Sequence, residues 1–235
     1  MASLPTHGGQ RSGGDSEYSN GDAVQPEPWI TWFCKLRSNE FFCEVEESFI
    51  QDMFNLTGLK PQVPNYEAAL DMILDAEPVT QYPEDQQEAI ERDAENLYGL
   101  IHARYILTTH GLEKMYEKYR KSEFGFCPRI YCQGQPVVPV GLSDTTNQES
   151  VKLYCPRCDE VYAPRSSRHD SVDGAFFGTT FAHLFFLTFP ELKVRVPPKE
   201  SYVPRVFGFR VNKNAYQISY KEKQAREARE QEQQQ

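Results

Sequence analysis

Apolar residues recur at helical spacing over the first ordered-looking stretch of the chain. In "PWITWFCKL", Trp29, Trp32, Phe33 and Leu36 fall at i, i+3, i+4 and i+7. "CEVEESFIQDMFNLTGL" predicts a second helix from about Glu46 to Leu56, with Gly58 placed to stop it. In "PNYEAALDMILDAE", Tyr66, Ala69, Leu70, Ile73 and Leu74 form one stripe, and Pro64 is tolerated at the first turn. Prolines 78 and 83 interrupt the pattern. A long helix is predicted from Glu84 to Thr108, with Ile90, Ala94, Leu97, Tyr98, Ile101 and Tyr105 on its inner face. A shorter helix follows Gly111, carrying Leu112, Met115, Tyr116 and Tyr119. Residues 29–123 therefore read as an all-helical domain.

The pattern changes at Phe124. Short β-type runs ("VKLYC", "EVYA", "AFFGTTFAHLFFLTF") alternate with turn signals ("GLSDTTN", "RVPPKES"), which predicts a β-containing module over 124–200. "SYVPRVFGFRVNKNAYQI", within 201–220, reads as a last pair of short strands or a loop. Residues 1–28 are rich in Gly, Ser, Asp and Pro, and residues 221–235 ("KEKQAREAREQEQQQ") hold only charge, Gln and Ala; both are expected to be disordered tails. The fold class is thus α+β.

The β module also holds the candidate chemistry. Cys127 and Cys132 have four residues between them, and Cys155 and Cys158 have two. Four thiolates delivered as two close pairs, each with a proline after its first cysteine, suit one tetrahedral zinc ion and describe a zinc ribbon. A full set of four thiolates leaves no open position for a substrate water, so the zinc is expected to be structural. Cys34 and Cys43 lie in apolar runs of the helical half and are expected to be buried.

Composition narrows the function. The 235 residues carry a formal net charge of −9, spread unevenly: residues 29–120 hold 8 basic and 17 acidic side chains, residues 121–220 hold 12 and 9. An acidic chain is a poor general binder of phosphate backbones, although Arg165 and Arg168 in "PRSSR" keep a zinc-ribbon nucleic-acid binder as the alternative. The chain contains no run of 18 apolar residues and no secretory leader pattern, which predicts no membrane span and a reducing compartment. His102 and His110 are placed on or near helices in structural roles. His183 is expected to be a satisfied core residue. His169 lies with Asp170 and Asp173, but no nucleophile elbow or HExxH pattern accompanies it, so turn chemistry accounts for this cluster better than catalysis. Phosphate-binding and kinase motifs are missing from the sequence. The chain is expected to have no catalytic residues.

The blocks "WITWFCKLRSNEFFCEVEESFIQDMFNLTGL", "ALDMILDAEP", "LYGLIHARYILT", "FGFCPRIYC", "PVGLSD", "VKLYCPRCDEVYAPRSSRHDSVDGAFFGTTFAHLFF" and "YVPRVFGFRV" resemble the regulatory (beta) subunit of casein kinase II over roughly residues 29–220. The resemblance implies a helical domain followed by a zinc ribbon, with Cys127, Cys132, Cys155 and Cys158 as the ligands. It implies a homodimer formed through the zinc modules, which carries two catalytic (alpha) subunits, stabilises them and selects among protein substrates without transferring phosphate. It further implies docking to the kinase through the "VFGF" segment, by Val206, Phe207 and Phe209. From the residues alone, both rings face either a partner or the protein's own core, and strand alternation would put 207 and 209 on one face. The family's N-terminal phosphoacceptors are missing here, and Ser12 and Ser19, each with an acid three residues on, are the candidate substitutes. Its acidic loop is diluted to Asp75, Glu77, Glu84 and Asp85. The expected compartments are cytoplasm and nucleus.

Overall fold

The longest apolar stripe in the sequence becomes the axis of the molecule. The computed structural model describes residues 27–76, 82–193, 203–212 and 223. Its helices are α1 (Trp29–Lys35), α2 (Glu47–Gln51), α3 (Tyr66–Ile73), α4 (Glu84–Tyr105), α5 (Thr109–Arg120) and α6 (Phe181–Thr188). Its strands are β1 (Val138–Val140), β2 (Lys152–Cys155), β3 (Glu160–Tyr162), β4 (Arg205–Val206) and β5 (Phe209–Arg210). The tails expected at 1–28 and 221–235, the phosphoacceptors Ser12 and Ser19, Glu77, and the segment 194–202 fall wholly or largely outside the described residues.

Helix α4 buries Ile90, Ala94, Leu97, Tyr98, Ile101 and Tyr105, the face that periodicity predicts, and its middle also buries Gly99, Leu100 and His102. A helix buried on several sides has neighbours on several sides. Helix α3 packs along it through Tyr66, Ala69 and Ile73, while the turn Gly174–Phe176 of the β module lies on another flank. Gly99 permits this approach, because a Cβ there would sit 2.3 Å from the Phe176 ring. Phe42 and His102 each place their ring centroids 5.2 Å from Phe177. The buried apolar side chains on both sides of residue 124 therefore form one continuous core.

Local chemistry sets the element ends. Helix α2 stops at Gln51, short of the predicted Leu56, because Asp52 is extended and its Oδ1 accepts the Phe54 N–H at 3.0 Å. The chain then descends through tight turns that bury Leu56 and Leu59. Helix α4 ends at Tyr105 rather than Thr108. Thr108 instead caps α5, its hydroxyl oxygen accepting the Gly111 N–H at 3.1 Å, as favoured N-cap residues do. Gly111 is required at this corner, since a Cβ would lie 2.1 Å from the Tyr105 carbonyl oxygen.

The second half holds a three-stranded antiparallel sheet in the order β1-β2-β3, with Val138 opposite Tyr154 and Leu153 opposite Tyr162. "VKLYC" and "EVYA" are strands as predicted. "FAHLFFLT" is not: it forms α6. Aromatic and β-branched content suggested strand, but Phe181 and Ala182 pair with Phe185 and Phe186 four residues on, burying one helical face. The same change of period corrects His183, which points to solvent rather than into the core. No helix among the described residues is long and apolar enough to cross a membrane.

Candidate metal centre and docking hairpin

Two knuckles bring the four cysteines together. In the first, "CPRIYCQG", a single 3-10 turn spans Ile130–Cys132, and the chain reverses through Gln133 and Gly134 at φ of 52° and 71°. The Cys127 N–H donates to the Gln135 carbonyl at 2.8 Å and closes the loop. The second knuckle follows directly from β2: Cys155 ends the strand, and the Asp159 N–H donates back to the Cys155 carbonyl at 3.0 Å, with Asp159 at φ 55°. Strand β3 then returns antiparallel, so the sheet fixes one knuckle and the loop presents the other.

The result is a cage. All four sulfurs lie within 4.8 Å of one another, with Cys127–Cys158 and Cys132–Cys155 both at 3.9 Å. These separations are far beyond a disulfide bond. They approach the edge of about 3.8 Å expected for a tetrahedron of thiolates at about 2.3 Å from zinc. Cys127, Cys132 and Cys155 are buried. Burial pushes the Cys132 thiol up to about 11 and the Cys155 thiol higher still. A divalent cation at the centre of the cage reverses this preference by holding the thiolate forms. The donor set, its closeness and its burial fit a structural metal ion, with all four positions taken by protein.

The other candidate residues have structural duties. His102 is wholly buried: its Nδ1–H donates to the Phe176 carbonyl at 2.8 Å and its Nε2 accepts the Cys43 N–H at 3.2 Å. Burial lowers its pKa to about 4, which keeps the ring neutral. Cys43 is buried as expected, and Cys34 is partly buried with its sulfur 3.4 Å from the Tyr98 hydroxyl. His169 stacks on Phe41 at 4.1 Å, and Asp173 caps a turn by accepting the Ala175 N–H at 2.9 Å. Asp75 of the acidic loop is equally occupied, accepting the Trp29 N–H at 3.0 and 3.2 Å.

The "VFGF" segment forms a two-residue hairpin. Val206 pairs with Phe209 and Arg205 with Arg210, while Phe207 and Gly208 occupy the turn at φ of 49° and 87°, the left-handed pair typical of a type I′ turn. Strand alternation therefore does not govern Phe207, which corrects the expectation that 207 and 209 share a face by period. Val206 and Phe209 share one face as direct cross-strand partners, and Phe207 stands at the tip. Phe207 is 96% exposed, Phe209 79% and Val206 55%. None of the three belongs to the core formed by the described residues.

Sequence comparison now decides the family. The profile described as casein kinase II regulatory subunit matches residues 28–210. The chain belongs to the casein kinase II regulatory subunit family. It is similar to casein kinase II subunit beta of Schizosaccharomyces pombe, 55% identical over 213 residues that cover 88% of this chain and 90% of the relative. It is 54% identical to casein kinase II subunit beta of Dictyostelium discoideum, over 80% of this chain and 69% of the relative. It is 51% identical to casein kinase II subunit beta' of Drosophila melanogaster, over 81% and 87%. The family is that of the regulatory subunit of this kinase, not its catalytic subunit. The matched span contains both cysteine pairs and the hairpin. Sequence reading singled out the cage ligands but passed over Arg157 and Tyr162, which pack around the cage. The only signal was their position within and just after "CPRC".

Proposed function

We propose that this chain is the zinc-dependent, dimeric scaffold of a casein kinase II holoenzyme. One zinc ion per chain, held by Cys127, Cys132, Cys155 and Cys158, rigidifies the ribbon on which two chains pair. Each chain then docks one catalytic subunit through Val206, Phe207 and Phe209, stabilises it and modulates its choice of protein substrates in cytoplasm and nucleus.

The observation that carries this reading is the hairpin. Two exposed phenylalanines, Phe207 at the tip of the turn and Phe209 on the strand after it, leave apolar area in water that no part of the described chain covers. Aromatic side chains fixed on a short turn are efficient anchors, since they fill pockets with little further loss of rotamer freedom. Exposed apolar groups near the cage, Phe126, Ile130, Tyr131 and Val161, support pairing of two ribbons. Sedimentation of the zinc-loaded chain with a casein kinase II catalytic subunit tests the assembly. The expected species holds two regulatory and two catalytic chains, and chelation reduces it to smaller particles. A zinc-loaded chain that sediments as a monomer with no bound kinase would refute it.

A further inference from the structure

The two cysteine knuckles are joined by more than the metal. Arg157, inside "CPRC", reaches back to the first knuckle. One guanidinium nitrogen donates to the Cys132 carbonyl at 3.4 Å and the other to the Gln133 side-chain oxygen at 3.3 Å. Its Nε–H is buried without a hydrogen-bond partner, and no carboxylate pairs with the guanidinium among the described residues. The rest of the guanidinium is partly open to solvent, so its two hydrogen bonds to the first knuckle are what fix it in place. Four thiolates around one dipositive ion would carry a net charge of −2, and Arg157 stands in the turn between two of those ligands, Cys155 and Cys158. The Tyr162 hydroxyl is 3.4 Å from the Cys158 sulfur. When that sulfur is a thiolate, the hydroxyl is the donor.

We infer that Arg157 and Tyr162 are positioning residues of the metal centre: Arg157 clamps the two knuckles and offsets the charge of the thiolate cage, and Tyr162 donates a hydrogen bond to the Cys158 thiolate. This rests on the zinc reading above. The fork of Arg157 links the backbone after Cys132 to the turn carrying Cys155 and Cys158, so all four sulfurs are held in register before the ion enters. Separating the knuckles then requires breaking two hydrogen bonds as well as metal–sulfur bonds, which slows metal escape. The Tyr162 hydrogen bond draws electron density from one sulfur and fixes its direction. Groups of this kind, one shell beyond the ligands, typically alter metal affinity by 10–100-fold.

The test uses the full-length, zinc-loaded chain. Zinc release to a chromogenic chelator is timed for wild type, Arg157→Met, Arg157→Lys and Tyr162→Phe, well below each melting temperature. Release is expected to quicken ~10-fold or more in Arg157→Met, and Arg157→Lys is expected not to restore it, since an ammonium cannot make the two-pronged contact. Cobalt-loaded protein supplies a readout that mere packing would not move. The thiolate-to-cobalt charge-transfer band is expected at lower energy in Tyr162→Phe, because a sulfur without its hydrogen bond is more electron-rich. Metal-loaded variants with release rates within twofold of wild type and an unshifted band would overturn the inference and leave the zinc reading intact. A wild-type chain that holds no stoichiometric metal would overturn both.

Discussion

Acid should destabilise the fold through His102, a buried ring at the joint between the two halves. The ring accepts the Cys43 N–H and donates to the Phe176 carbonyl, so it ties the segment before α2 to the β module through α4. Only the first needs the neutral ring: a protonated Nε2 could no longer accept from Cys43, whereas Nδ1–H donates to Phe176 in either state. The folded pKa is lowered to about 4 from an ordinary 6.5. The sign follows from linkage. The unfolded chain takes up its proton first, so the contribution to stability is complete above pH 6.5 and is lost as pH falls towards 4. The full loss is about 3 kcal/mol, of which about 2 kcal/mol has gone by pH 5. Other titrating groups, the metal centre included, are removed by comparing wild type with His102→Gln, in which they are unchanged. Urea unfolding of the zinc-loaded proteins should show wild type more stable than the variant at pH 7.5, with the gap narrowing by about 2 kcal/mol at pH 5. A gap that does not change between pH 7.5 and 5 would refute the reasoning.

Other perturbations have equally definite outcomes. Thr108→Ala removes the acceptor for the Gly111 N–H and should lower unfolding stability by about 1 kcal/mol in the same assay. Gly99→Ala raises intrinsic helix propensity yet should destabilise by about 1–3 kcal/mol, because the new methyl overlaps the Phe176 ring; a higher melting temperature by calorimetry would contradict the packing described. Phe207→Gly relieves the left-handed backbone at the hairpin tip and should not lower the melting temperature while weakening kinase binding in a titration. Prolonged chelation should abolish dimerisation and near-ultraviolet circular dichroism from the ribbon aromatics together; a monodisperse dimer of fully zinc-free protein would contradict the structural role of the metal.

The sequence was most legible where one local force dominates. Helix α4 declares itself because six inward residues keep strict helical spacing, and the cage ligands because two close thiol pairs have few other uses. The misreadings arise where tertiary context decides. "FAHLFFLT" has the composition of a strand, but only the surrounding core shows that Phe181 and Phe185 must face the same way. The end of α2 depends on one carboxylate turning back to Phe54, and the end of α4 on which element Thr108 caps. The joining of the halves was invisible for a similar reason: Gly99 and His102 look like ordinary helix residues until Phe176 is seen beside them. Phe207 and Phe209 were found as a pair, but only the turn geometry places one at the tip and the other on a strand face.

Calorimetric titration of the zinc-loaded chain with a casein kinase II catalytic subunit, for wild type and for the Phe207→Ala/Phe209→Ala double variant, tests the scaffold role most directly. The account predicts one kinase per chain, tight binding by wild type, and at least ~100-fold weaker binding by the double variant, as for buried aromatic hot spots. Equal affinity of the two proteins, or no binding by a dimeric, zinc-loaded wild type, would contradict it.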